Sequence, residues 1–208
     1  MRGAHAARAL LLMVSCCCST WAAAGAGDGV VRALAEHDVA NMPGGMASLC
    51  SRLPSVCAAA DGRHETIRMA ERGALLARVN SSINHRIAST TDRELYGRDE
   101  YWTLPSTAGD CEDYVLLKRQ TLLELGFAAA SLLITVVHDE NGEGHAVLTI
   151  PTTDGDVVLD NRRDEILHWW ETGYTFIKRQ SEADPVKWVS LGTGRLQATN
   201  IASGPGLP

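Results

Sequence analysis

Hydrophobic positions change their period midway along the chain. Between residues 64 and 88, Ile67, Ala70, Ala74, Leu75, Val79, Ile83 and Ile87 recur mostly at three- and four-residue spacing, which predicts a long amphipathic helix. A second helix is predicted from Asp110 to Gly126. Asp110 suits its N-cap and Asp113 its third position, Gly126 suits the stop, and Val115, Leu116, Leu122, Leu123 and Leu125 form its buried stripe. Beyond it the pattern becomes extended. SLLITVVH (131–138), HAVLTI (145–150) and DVVLDN (156–161) read as strands parted by Asn-Gly and Thr-Thr-Asp-Gly turn signals. RDEILHWWETGY (163–174) reads as a further helix carrying Trp169 and Trp170, and VKWVSL (186–191) as a last strand. Residues 89–109 read as loop. Helices first and an antiparallel meander afterwards predict an α+β fold, helices packed on an antiparallel β-sheet.

Composition narrows the classes. The chain has 208 residues, 45% hydrophobic and 21% charged, enough for one folded domain and too polar for a multi-span membrane protein. A net charge of −6 leaves no basic excess to neutralise phosphate, which argues against nucleic acid and anionic membrane as partners.

The first residues are an exception to the general pattern. Arg2 and Arg8 precede an apolar run of about ten residues and a small-residue stretch at Ala22–Ala24, the layout of a secretory signal peptide. The run is about half the length a membrane span needs. The expected organisation is therefore signal peptide 1–24, flexible segment 25–45, a domain at 46–197 and a mobile tail at 198–208. Removing residues 1–24 takes away two arginines and no acid, so the net charge moves from −6 to −8.

Export also sorts the six cysteines. Cys16, Cys17 and Cys18 leave with the leader. Cys50 and Cys57 flank Pro54 in LCSRLPSVC, close enough for a small disulfide loop in an oxidising compartment. No second Cys/His pair at zinc spacing supports a metal there. Cys111 remains as a single free thiol.

Cys111 falls in the first turn of the second helix, where free N–H groups and the helix dipole favour thiolate. His145 opens one strand and Asp160 ends the next. A hairpin centred between Thr152 and Thr153 sets them opposite each other, and a turn one residue later sets them one diagonal step apart. Either way a carboxylate can orient the imidazole, leaving its other nitrogen for the thiol. A half-buried structural cysteine and an exposed strand-end histidine are the plainer alternatives. Cys, His and Asp in this order, with a helix on an antiparallel sheet, is the papain/transglutaminase-like layout of thiol enzymes.

GDCEDYVLLKRQTLLELGF, GEGHAVLTI and GDVVLDNRRDEI together resemble the bacterial transglutaminase-like cysteine proteinase family, whose LapG-type branch comprises periplasmic proteases that clip surface adhesins. VNSSIN, EYWTLP and LCSRLPSVC fit the same resemblance, which covers roughly residues 45–191. It implies Cys111 as nucleophile, His145 as general base and acid, Asp160 as orienting carboxylate, and the Cys111 N–H as an oxyanion donor. Trp102 is a candidate second donor or cleft wall, with a core role equally open. In that branch the acids beside the cysteine bind calcium. The matching positions are Asp110 and Glu112, with Asp113, carboxylates of the type this cation prefers. The implied activity is hydrolysis of a peptide bond in a specific protein, with a large adhesin as possible substrate and an inner-membrane receptor as possible partner. A transglutaminase or amidase, and a non-catalytic binding module, are the rival readings. The Ser-Thr-Ala link between EYWTLP and GDCEDY is short, so substrate contacts can differ from those of adhesin-cleaving members.

Overall fold

The computed structural model describes residues 33–57, 63 and 65–192, so the leader expected at 1–24 and the tail expected at 198–208 lie outside the described residues. In chain order the elements are β1 (Glu36–Ala40), α1 (Gly44–Arg52), a 3-10 turn (Pro54–Cys57), α2 (Met69–Arg86), β2 (Ala88–Ser89), α3 (Asp92–Tyr96), β3 (Ala108–Gly109) and α4 (Cys111–Glu124). There follow a 3-10 turn (Ala129–Ser131), β4 (Leu133–His138), β5 (Gly144–Ile150), β6 (Val157–Asp160), β7 (Arg163–His168), a 3-10 turn (Trp169–Glu171), β8 (Thr175–Gln180) and β9 (Trp188–Leu191).

Seven of these strands form one sheet in the order β1-β9-β8-β4-β5-β6-β7, with every neighbouring pair antiparallel. Ala88 and Ala108 lie in register in a separate parallel pair, β2–β3. Strand alternation divides the side chains between two layers. Ala146, Leu148 and Ile150 of β5 join Leu76, Ile83, Leu116 and Leu122 of α2 and α4 in the main core. Val147 of β5 and Val158 of β6 join Trp169, Tyr174 and Phe176 in a smaller core. Burying a side chain such as Leu76, Leu116 or Leu122 contributes about 1.5–3 kcal/mol. The α+β class expected from the sequence is the architecture observed.

Several local expectations are corrected. α2 starts at Met69, after an extended Arg68, and its buried face is Leu76, Val79, Asn80 and Ile83. Ala70 and Ala74 point outward, since the larger leucine sets the phase and alanine adds little to either face. Leu125 is 46% exposed because α4 ends at Glu124, and Gly126 turns the chain away at φ 85°. Residues 163–174 are not a helix. Asp160 pairs with Arg163 across a two-residue turn, so the chain returns at once as the edge strand β7. Trp169 then packs edge-on against Phe176, and Trp170 stacks on His168.

The segment 25–45, expected to be flexible, contains β1 and the start of α1. β1 is held by Arg179, a side chain with no exposure that pairs with Asp156 at 2.6 Å, with Glu36 at 3.1 Å and with Glu182. Asp156 also accepts the Leu34 N–H at 3.2 Å. Gly45 packs its Cα face on Trp102, where a Cβ would lie 2.2 Å from the ring. Cys50 and Cys57 form the expected disulfide, with Cα atoms 5.5 Å apart, tying α1 to the turn that follows it.

Candidate active site

α4 begins at Cys111, with Asp110 extended at the N-cap but making no side-chain capping bond. Cys111 is half-buried and is the free cysteine among the described residues. α4 lies on β5 in the main core, and the Ala146 backbone N–H is directed at the Cys111 sulfur. The thiol donates to Glu112 Oε2 at 3.0 Å. Burial, followed by the Glu112 carboxylate, pushes the thiol well above its usual range. In the resting group, desolvation and the adjacent acid outweigh the helix dipole that the sequence places behind Cys111.

His145 and Asp160 meet on the neighbouring strands. The observed β5–β6 register pairs Leu148 with Leu159 and Ile150 with Val157. That is the later of the two turns considered, and it sets His145 and Asp160 on a diagonal. His145 Nε2 lies 2.9 Å from Asp160 Oδ1, with both side chains sealed from solvent at 1% and 2% exposure. Arg162 N–H donates to the same oxygen at 3.0 Å. The Tyr174 hydroxyl donates to Asp160 Oδ2 at 2.6 Å, and the Tyr174 ring meets His145 edge-on with centroids 5.6 Å apart. Burial alone would raise the Asp160 carboxyl. The His145 hydrogen bond and charge, with Tyr174 and the Arg162 N–H, outweigh it and hold the group at about 2. Burial and the same carboxylate push the Tyr174 hydroxyl up to about 12, so it stays a donor. His145 Nδ1 is buried without a hydrogen-bond partner, on the residue next to the one whose N–H faces the sulfur.

A second group of acids flanks the helix start. Single carboxylate oxygens of Asp92, Asp110 and Asp113 lie within 4.8 Å of one another. Glu112, expected in this group, accepts from the thiol and lies against the Asp110 carboxyl, but it is not one of the three clustered acids. Asp92 takes its place from α3, inside the stretch read as loop. Asp92 accepts the Tyr101 N–H and Asp113 accepts the Thr103 N–H at 2.8 Å, which fixes the 101–103 strap against α4. One oxygen of each acid, Asp92 Oδ1, Asp110 Oδ1 and Asp113 Oδ2, has no partner. Burial, then the neighbouring carboxylates, pushes Asp110 up to about 8. Burial also leads in raising Asp113 to about 7, against an opposing Thr103 N–H. Three oxygens without donors, crowded and expensive to ionise, are the donor set a hard cation satisfies. A Cβ on Gly109 would sit 2.6 Å from Asp113 Oδ2, so the glycine before Asp110 clears space for the group.

Trp102 is 3% exposed, packs in the main core and gives its indole N–H to Glu100 at 3.0 Å. Its N–H is therefore already engaged by Glu100. Asn161 sits in the β6–β7 turn with Oδ1 buried and unbonded. Sequence reasoning missed Asp92, Tyr174 and the Arg162 N–H. Thr91-Asp92-Arg93-Glu94 carries a helix-start signature, realised here as a capping box, and would have revealed α3.

Residues 36–196 match the family model described as bacterial transglutaminase-like cysteine proteinase, and the chain belongs to that family, with the transglutaminase-like fold this implies. Among solved structures it is similar to calcium-bound Legionella pneumophila LapG, at 27% identity over 51% of this chain and 64% of that one, with a TM-score of 0.46. EGTA-treated LapG from the same organism matches at 28% identity over 51% and 62%, also with a TM-score of 0.46. The matched region thus spans less than two thirds of LapG. A comparison with curated proteins gives no match.

Proposed function

We propose that the chain is an exported cysteine endopeptidase that hydrolyses a peptide bond in a specific protein through Cys111, His145 and Asp160. The observation that carries the reading is the sealed His145–Asp160 pair, which occupies Nε2 and leaves Nδ1 without a partner beside the strand residue that meets the Cys111 sulfur. Family membership supports the same assignment.

In this mechanism the proton leaves Cys111 for His145 Nδ1 as the sulfur attacks the substrate carbonyl carbon. Cys111 rests as a thiol, so His145 acts as a base on substrate arrival, and Asp160 stabilises the imidazolium that forms. The Cys111 N–H, one of the free donors of the α4 terminus, receives the oxyanion. His145 then returns its proton to the departing amine nitrogen, and the acyl group remains on sulfur as a thioester. Water, deprotonated by the same imidazole, adds to that carbonyl and expels the sulfur, restoring the thiol.

Asp92, Asp110 and Asp113 are the residues that would hold a calcium ion. When bound, the ion supplies positive charge that cancels the acids' repulsion at the start of α4. The same carboxylates anchor Tyr101 and Thr103, so the site also braces the strap next to the nucleophile. Calcium-bound LapG supports the choice of cation.

The leader at 1–24 supports export, and the family resemblance points to the periplasm, with a large surface adhesin as substrate and an inner-membrane receptor as partner. No helix among the described residues is long and apolar enough to cross a membrane. The test is incubation of a recombinant adhesin segment with wild-type protein and with Cys111→Ala, reading product termini by mass spectrometry. Hydrolytic termini from wild type and intact segment from the variant are expected. Cleavage retained by Cys111→Ala, or crosslinked or aminated products, would overturn the proposal.

A further inference from the structure

The β5–β6 ladder ends before it reaches the candidate triad. Its last register pair toward that end is Leu148 with Leu159, so His145 and Asp160 stand beyond the paired stretch. β5 stays paired on its other side, where His145 lies opposite Val137 and Gly144 opposite His138 of β4. Asp160 lies opposite Arg163 of β7. The base and the acid thus belong to two hairpins, β4–β5 and β6–β7, at a point where register pairing no longer joins them. Their spacing at that end falls to side chains.

Asp139, in the β4–β5 turn, has a side chain only 1% exposed. Its Oδ1 accepts the Asn141 and Glu143 N–H groups, each at 2.9 Å, which is the ordinary work of an aspartate in a turn. Its Oδ2 reaches out of that turn to Arg162 Nη1 at 2.7 Å, 23 residues away in the β6–β7 turn. The Arg162 hydrogen bond, then the Glu143 N–H, holds the Asp139 carboxyl at about 2, so the pair is charged at neutral pH. Arg162 also gives its backbone N–H to Asp160 Oδ1 at 3.0 Å, the oxygen that meets His145 Nε2 at 2.9 Å. One residue therefore grips the triad carboxylate with its main chain and the turn before His145 with its side chain. Arg163 and Glu140 repeat the crossing at 3.1 Å, but both are partly exposed and such a pair adds little by itself. Tyr174 reaches Asp160 separately, through Oδ2.

We propose that Arg162 and Asp139 are positioning residues of the candidate triad, a clamp that fixes the turn before His145 against the turn after Asp160 where sheet pairing has ended. The inference rests on the triad reading above, and the experiment separates the two. With Nε2–H held on Asp160, Nδ1 keeps its lone pair for the thiol proton. With the clamp open, Asp160 is free to shift from Nε2, and the imidazole can carry its proton on Nδ1, where it is no base for Cys111. A displacement of about 1 Å can cost a catalytic group about a hundredfold.

Arg162→Met and Asp139→Asn each open the clamp by a mild change. The Arg162 side chain is 40% exposed and its backbone N–H survives, and an asparagine still offers Oδ1 to the turn. Two readouts need no substrate. One is the pair of ring 15N shifts of His145 in histidine-labelled protein, taken with the imidazole neutral and assigned with His145→Gln. The other is the rate at which iodoacetamide alkylates Cys111 at neutral pH. Wild type should carry the proton on Nε2. Both variants should show shifts averaged between the two tautomers, and alkylation slower by about tenfold or more. The double variant should be no worse than either single one, and Arg162→Lys, which keeps a cation for Asp139, should recover most of the rate. A lower Tm with wild-type shifts and rate would make the pair structural only and overturn the proposal. Additive losses in the double variant, or Arg162→Lys no better than Arg162→Met, would overturn it too. Asp160→Asn should lose both the Nε2 preference and the rate; if it keeps both, the triad reading falls and this inference with it.

Discussion

Tyr174→Phe removes one oxygen from the most heavily bonded carboxylate of the candidate site. The ring that meets His145 edge-on remains, so the lost group is the hydroxyl that donates to Asp160 Oδ2 at 2.6 Å. A hydrogen bond to a buried charge is worth about 1.5–3 kcal/mol. Asp160 is held at about 2 against an ordinary 3.8, a shift of about 2 kcal/mol in which His145 leads the lowering contributions and Tyr174 follows. A carboxyl with a lowered native pKa stabilises the fold above its unfolded pKa, and that contribution is lost as the pH falls through the native value. The substitution should therefore cost about 2 kcal/mol at pH 7, a drop of about 4–8 °C in Tm for a chain of this size. The penalty should shrink as the pH approaches 2, where Asp160 gains its proton in wild type as well. Urea unfolding of both proteins at pH 7 and at the lowest pH where both still fold reads the difference directly. An equal loss at both pH values, or no loss at pH 7, would refute the assignment of Tyr174 to the Asp160 charge.

Ion-free protein should lose stability as the pH rises through about 7 to 8. The Asp110 and Asp113 carboxyls are raised in the fold, chiefly by burial, and their neutral forms are favoured only below that window. Added calcium should remove the slope, and a flat, calcium-independent Tm from pH 5 to 8 would count against the site. Arg179→Met strands Asp156 with the Leu34 N–H as its remaining donor, and should cost about 3–5 kcal/mol. Limited proteolysis should then cut near β1, and a resistant, equally stable variant would contradict the anchoring role of Arg179. Replacing Cys50 and Cys57 by serine opens a loop seven residues in separation, worth about 2.5 kcal/mol in chain entropy. An unchanged urea midpoint would show that the loop is held by other contacts.

What could be read from the sequence follows from the range of the interactions involved. The β5–β6 hairpin was legible because it is local. Turn residues and a period of two bring His145 and Asp160 together within fifteen positions, leaving only a one-residue choice of register. The disulfide was legible for the same reason. The 163–174 segment was misread because its spacing of Ile166, Leu167, Trp169 and Trp170 suits a helix. The tight turn at Asn161–Arg162 overrides that pattern by delivering Arg163 opposite Asp160. The acidic group shows the limit most clearly. Adjacency in sequence suggested Asp110, Glu112 and Asp113, but Glu112 accepts from the thiol and the third clustered acid, Asp92, comes from the 92–103 strap. That strap is held by Tyr101 and Thr103 N–H groups bonded to the very acids it completes. Strap and carboxylates therefore form one unit, and its charge balance bears directly on Cys111. Burial raises the thiol first and the Glu112 carboxylate next, and of the three grouped acids Asp110 adds to the same rise. Neutralising the group should thus remove the Asp110 share of the energy needed to form thiolate, which ties the bracing of the strap to the reactivity of Cys111 through that one carboxylate.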